Sequence, residues 1–252
     1  GRDGKPEPKV YAIVESNEIN RNHLQFFGTH LSEMERNLAV MQIEGLLDTF
    51  KDAREYGSIL NVDVCDWELL EKFVEDLGTM GQISFESVGS EETQESLRKL
   101  VRVAQNLGQR YDAVVANPPY MGSSGMGAKL SKYVKDTYPD SKSDLFAVFI
   151  EKCGQMAKKN GYQAMITQQS FLFLSGLKNL RINLLNNMSM ISVLHMGLGA
   201  FGNDFGTVAF VLKKRKIEES RCVFISLAEQ RDSKQKKYVY LSKNAPKYTH
   251  FL

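Results

Sequence analysis

The sequence predicts an α/β fold: a partial, open sheet with crossover helices, preceded by a mainly helical insertion. Three observations predict it. Strand-like and helix-like patterns alternate from about residue 110 to residue 216, the signature of βα units. Apolar residues before residue 110 recur mostly at helical spacing. Short buried-type apolar runs in the second part are followed closely by turn residues, as strands of an open sheet are.

The elements follow in chain order. Val10-Tyr11-Ala12-Ile13-Val14 reads as a short strand. Leu31, Met34, Leu38, Met41, Ile43, Leu46, Leu47 and Phe50 recur at helical spacing, and Ser32 with Glu35 predicts a capping box at the start of that helix. A second helix covers 67–77, with Leu69, Leu70, Phe73 and Val74 inward and Asp66 as its cap. Residues 78–89 read as loop. A third helix covers 91–107 through Leu97, Leu100, Val101 and Ala104. The second part opens on the strand 111–116. An amphipathic helix spans 143–160, with Leu145, Phe149, Cys153 and Met156 on one face and Gly161 ending it. A strand at 162–167, a helix at 174–187 and strands at 190–196 and 207–213 follow. Beyond residue 217 there is a strand stub at 222–226 and a polar tail. The domain reading is thus 1–109, 110–216 and 217–252.

Composition narrows the function classes without naming one. The hydrophobic fraction of 42% suits a globular core, and a net charge of +2 does not by itself indicate a nucleic-acid binder. Two basic stretches, Lys213 to Lys216 and Lys234 to Lys237, are candidate local patches or solvated surface. Cys65, Cys153 and Cys222 have no CxxC or Cys/His ligand spacing, so neither a zinc site nor a disulfide framework is expected. That usage fits a reducing, cytoplasmic setting. No run approaches the ~20 apolar residues of a membrane helix. The polar opening, residues 1–8 without a Met, reads as a piece cut from a longer chain.

The chemistry rests on Asn117-Pro118-Pro119-Tyr120, directly after the strand 111–116. Ligands of open α/β sheets sit at the carboxyl ends of strands, so the position fits a site. An exocyclic amine on a nucleobase is a poor nucleophile because its lone pair is delocalised into the ring. Two acceptors on its two protons favour a tetrahedral nitrogen. The Asn117 side-chain carbonyl and the Pro118 backbone carbonyl are such acceptors. The two prolines restrict the backbone and hold the acceptors in place beforehand. Tyr120 offers a flat face for an extruded base. By residue usage the tetrapeptide arises by chance in a chain of this size on the order of once in a thousand.

The motif resembles that of the N6-adenine DNA methyltransferases, and the likeness runs on. Ser143-Asp144-Leu145-Phe146 with the helix it opens, Asn160-Gly161-Tyr162, the segment 168–181, and Ala200-Phe201-Gly202 with Gly206 to Leu212 are each similar to segments of that family. The resemblance covers about residues 110–216. The run from Met121 to Ser141 looks closest to the BREX-type adenine methyltransferases of phage-defence systems, with type IIG restriction-modification enzymes next.

What the resemblance implies is a partial Rossmann-like class I methyltransferase sheet. It implies S-adenosylmethionine as methyl donor, a flipped adenine in double-stranded DNA as acceptor, and other defence-system subunits as partners. Asn117 and Pro118 would hold the amine, with Pro119 fixing the turn. Tyr120 would stack on the base. Phe201 would contact it from another side, with Phe205 as the rival. The family's Asp-Pro-(Ala/Pro)-Cys-Gly-Ser-Gly cofactor signature is not in this sequence. Asp63, at the end of a possible strand 60–64, is the nearest candidate for a cofactor contact. Residues 121–127 read as a flexible loop near the site, and Lys129, Lys132 and Lys135 as phosphate contacts or a solvated helix face. Two rivals stay open: methylation of a protein glutamine amide or an RNA amine, and a catalytically incomplete DNA-reading subunit.

Overall fold

Apolar helix faces build the first of two units, Gly1–Gln109, and alternating strands and helices build the second, Arg110–Leu252. The computed structural model describes residues 7–77, 88–201, 205–217, 221–230 and 232–242, and the backbone of 247–251.

In the first unit, α1 (Glu33–Thr49) starts at a capping box in which Ser32 and Glu35 each satisfy the other's backbone N–H. A short α2 (Ala53–Tyr56) follows. In α3 (Trp67–Glu75) the Leu69 N–H donates to the Asp66 carboxylate at 3.1 Å, capping the helix as its sequence predicts. The fourth helix is α4 (Ser90–Gly108). Ile43, Leu47, Leu70, Phe73, Leu97 and Leu100 are fully buried.

Three expectations in this unit need correction. Met34 and Met41 stand 82% and 62% exposed, because α1 carries two apolar stripes and only that of Ala39, Ile43, Leu46 and Leu47 faces inward. Residues 10–14 form no strand, and Val10 is exposed; no neighbouring strand among the described residues takes their backbone groups. The chain at 60–64 is likewise irregular. The expected loop 78–89 lies largely outside the described residues.

The second unit contains β1 (Tyr111–Ala116), α5 (Ala128–Thr137), α6 (Leu145–Met156), β2 (Ala157–Gln168), α7 (Lys178–Asn187), β3 (Ser189–Gly197), β4 (Thr207–Lys213), β5 (Arg221–Ser226), α8 (Ser233–Leu241) and β6 (Lys247–Phe251). The sheet order is β1-β2-β4-β3-β5-β6. β1 and β2 are parallel, as are β3 and β5; β4 lies antiparallel between β2 and β3. α6 and α7 cover one face, where Phe146, Ile150, Leu180, Leu184, Val193 and Phe210 form a continuous core. By strand alternation Val115, Ala164, Ile166 and Val211 point to the other face. There Val115 is 78% exposed and a groove of about 420 Å³ runs from Asn117 to Tyr240 of α8.

Here too the sequence reading shifts. The helix expected over 143–160 ends at Met156, and Gly161 is not its cap: Ala157 is, and β2 starts there. Gly161 instead lies against β1, where a Cβ would meet the carbonyl oxygens of Asp112, Lys158 and Tyr111 at 2.9, 3.0 and 3.1 Å. The register jumps from Tyr111↔Ala157 to Ala113↔Tyr162, so residues 158–161 bulge out, with Asn160 left-handed at φ 67. The expected helix 174–187 opens as a 3-10 turn, Ser175–Leu177, before α7. The expected polar tail holds α8 and β6. Asp232 caps α8, and Lys236, only 5% exposed, donates to the Leu227 and Gln230 carbonyls.

Candidate active site

The fold brings the ends of four strands to one edge of the sheet. β1, β2 and β3 run the same way, so their carboxyl ends lie together, and antiparallel β4 begins beside them. Asn117, Gln169, Leu198 and Phe205 follow or precede those ends in sequence. Asn117 is exposed and lines the sheet-face groove. Its carboxamide has no hydrogen-bond partner among the described residues. Pro118 is buried and Pro119 exposed, so the turn is anchored at one proline.

Tyr120 is half-buried between two rings. It meets Phe146 of α6 edge-on at 6.2 Å and Phe205 at 6.3 Å, with interplanar angles of 84° and 71°. Such tilted pairs hold a ring in place without covering it as a parallel stack does. Burial pushes the Tyr120 phenol above its ordinary value, so the ring stays neutral. The structure thus brings Tyr120 and Phe205 together. Phe201 is 60% exposed and makes no ring contact among the described residues.

Asp144 fixes the exit of the motif, a role the sequence reading missed. Its carboxylate accepts the Phe146 N–H at the start of α6 and the Met121 N–H, each at 3.2 Å. Leu145 N–H donates to the Met121 carbonyl at 2.9 Å, and Ser123 N–H to the Ser143 carbonyl at 2.9 Å. Burial raises the Asp144 carboxyl above the usual carboxylate range, against the pull of these N–H groups. An Asp before an apolar helix is a readable cap. Its second bond reaches back 23 residues, which local pattern does not encode. These ties also correct the expected flexible loop 121–127: Met126 is buried, and 123–125 form a 3-10 turn closed from Gly125 to Gly122.

Gln169 was also missed. Its Oε1 lies 2.6 Å from His195 Nε2, and its backbone N–H donates to the Gly206 carbonyl at 2.8 Å. Burial, then the nearby Lys236 charge, hold His195 below the usual imidazole range.

The first basic stretch is largely committed to the fold, whereas in the second Lys234 and Lys237 are exposed. Lys213 sits over the Tyr162 ring, Lys214 donates to the Gln155 and Ala157 carbonyls, and Lys216 to the Leu185 carbonyl. Lys129, Lys132 and Lys135 lie on the exposed side of α5, where Leu130 and Val134 are buried.

Asp63 lies in exposed, irregular chain of the first unit, and the strand expected to present it is not formed. The residues at the sheet edge supply acceptors and aromatic faces. They do not include the glycine turn and acid of an S-adenosylmethionine pocket, so these residues alone do not fit that cofactor. Among the described residues no helix is long and apolar enough to cross a membrane.

Comparison with known proteins gives the family. The family described as Eco57I restriction-modification methylase matches residues 25–201, reaching well before the 110–216 that the motifs delimit and into the helical unit. The adenine-specific methyltransferase BrxX of Escherichia coli O9:H4 (strain HS) is 37% identical over 194 residues, 75% of this chain and 16% of its own length. The adenine-specific methyltransferase PglX of Lacticaseibacillus casei (strain Zhang) is 36% identical over 206 residues, 79% of this chain and 17% of its own. The chain therefore spans about a sixth of the length of these curated relatives. Among solved structures, a nuclease-deletion mutant of the Type ISP restriction-modification enzyme LlaGI, in complex with a DNA substrate mimic, aligns with a TM-score of 0.47 at 16% identity, over 66% of this chain and 19% of that one.

Proposed function

The chain belongs to the Eco57I restriction-modification methylase family, and from that membership we propose that it carries the amine-activating part of a site-specific adenine-N6 DNA methyltransferase of phage defence or restriction-modification. The observation that carries the reading is the exposed Asn117 carboxamide, free of partners among the described residues, at the end of β1 beside the ring-held Tyr120. Asn117 Oδ1 and the Pro118 carbonyl accept the two N6 hydrogens of an adenine turned out of double-stranded DNA. That pairing would free the nitrogen lone pair for attack on an electrophilic methyl group. S-adenosylmethionine would supply that methyl, held by residues other than those of this sheet edge. Pro119 and the Asp144 ties hold the acceptors before substrate arrives, which is where preorganised dipoles lower a barrier most. Tyr120 and Phe205 receive the base, with Phe201 at the same loop. The surplus proton leaves to solvent after transfer. We further propose a cytoplasmic setting and other subunits of the defence system as partners.

The test is mass spectrometry for N6-methyladenine in DNA from cells making the full-length protein or its Asn117→Ala variant. Modified adenine that disappears with the variant supports the reading. No modified adenine in either culture refutes it, and product analysis of RNA and of protein glutamines then decides between the rivals.

A further inference from the structure

We propose that Gln169 is a positioning residue that holds Phe205 against Tyr120, acting through Gly206 and braced by His195. The inference rests on the methyltransferase reading and adds to it a residue outside the Asn-Pro-Pro-Tyr motif.

The geometry is specific. The Gln169 carboxamide occupies the space where residue 206 would carry a side chain: a Cβ on Gly206 would lie 2.1 Å from both Cδ and Nε2 of Gln169, and 2.6 Å from its Oε1. Gly206 is buried and its φ is not in the left-handed region, so a side chain there is opposed not by backbone conformation but by the Gln169 carboxamide, which would have to shift off His195 to admit it. The backbone bond from Gln169 N–H to the Gly206 carbonyl joins the end of β2 to the residue just before β4. The side chain is fixed at its far end by the 2.6 Å contact to His195 Nε2. His195 is fixed in turn: its carbonyl accepts the Leu227 N–H at 2.8 Å, and its ring lies 6.3 Å from that of Phe224. The neighbour of Gly206 is Phe205, 54% exposed, whose ring meets Tyr120 at 6.3 Å. A ring that exposed has little packing of its own to hold it. Its orientation follows from the backbone at residue 206, which Gln169 grips from both the main chain and the side chain.

This chain of contacts predicts a pattern that loss of stability alone does not produce. Removing the carboxamide frees residue 206 and misplaces Phe205, so the chemical step suffers while cofactor affinity does not. Adding a methyl at 206 collides with the carboxamide in the native background and fits once the carboxamide is gone. Residues acting through one contact show non-additive effects.

The experiment uses the full-length protein with the variants Gln169→Ala, Gly206→Ala, Phe205→Ala, Gln169→Ala with Gly206→Ala, and Gln169→Ala with Phe205→Ala. Methylation of duplex DNA gives kcat and KM, titration gives S-adenosylmethionine affinity, and amide hydrogen exchange reports on residues 205–208. Gln169→Ala is expected to lower kcat by about tenfold or more, with cofactor affinity unchanged and exchange at 205–208 faster. In the Phe205→Ala background it should cost nothing further, and Gly206→Ala should be harmless once Gln169 is Ala. Additive losses in either pair, or unchanged exchange at 205–208, would overturn the inference. If the native protein methylates no DNA, the functional reading fails, and the exchange data alone decide whether Gln169 governs the 205–208 segment.

Discussion

Asp144 makes two backbone bonds at once, and replacing it separates two contributions. Asp144→Ala removes the α6 cap, worth about 1 kcal/mol at a typical N-cap. It also removes the acceptor for Met121 N–H, a net loss of about 1 kcal/mol for an ordinary hydrogen bond at a partly exposed site. The sum is about 2 kcal/mol. Asp144→Asn keeps an oxygen acceptor and a good cap while removing a charge that burial disfavours. Because burial raises this carboxyl in the folded protein above its value in the unfolded chain, its favourable contribution is full below the ordinary Asp range. That contribution is lost as pH rises through the folded value. At pH 7 the ionised group is therefore held at a cost, and the Asn variant should equal or exceed the native protein. Urea unfolding followed by circular dichroism reads this directly. With a slope of about 2 kcal/mol per molar urea, Asp144→Ala shifts the midpoint of this unit down by about 1 M. Asp144→Asn should leave it or raise it, with the gap from native closing as pH falls into the carboxylate range. An Asn variant as unstable as the Ala variant would refute the reasoning, because the charge itself would then be what stabilises the turn.

Three further outcomes are expected. Gly161→Ala drives a methyl into three β1–β2 carbonyls and should cost about 1–3 kcal/mol in the same unfolding assay. Lys152 is 3% exposed, and burial with the Arg110 charge pushes its ammonium down to about 8. The unfolded chain therefore binds more protons above that value, and stability rises with pH. The native protein should gain about 1 kcal/mol on Lys152→Met between about pH 7.5 and 9; Cys153, which the Lys152 charge lowers, is still held up to about 11 by burial and so stays protonated in the fold over that range. In methylation kinetics Phe205→Ala should lower kcat more than Phe201→Ala, since Phe205 is the one of the two that touches Tyr120; the reverse order would assign the base contact to Phe201.

The readable parts of the sequence were those with strong local signals. The strands 111–116 and 207–213 coincide with β1 and β4, and the caps at Ser32 and Asp66 form as their side chains dictate. The misreadings have physical sources. Val10 to Val14 is strand-like in composition, but a strand exists only with a partner. In α1 two apolar stripes share one helical period, and the period alone does not say which is buried. Gly161 follows a helical pattern and resembles a cap, whereas close packing on Asp112 sets its identity. Strand-end logic puts Asn117 and Tyr120 just after β1, which is where the fold has them. Gln169 and Asp144 work through partners 26 and 23 residues away, beyond any local pattern.

The place of β4 bears on how the chain assembles. β1 with β2, and β3 with β5, are two strand pairs that share no edge, and β4 is the piece that closes them into one sheet. It is later in sequence than both strands it separates. During synthesis β2 and β3 therefore emerge with a strand-wide gap between them and unpaired backbone edges facing it, an arrangement exposed to wrong pairing. The candidate site straddles that gap: Asn117 and Tyr120 belong to the early pair, Phe205 to the closing strand. The contact of Tyr120 with Phe205 cannot form before β4 is inserted, so it marks the joining of β2 to β3, with β5 and β6 still to be added.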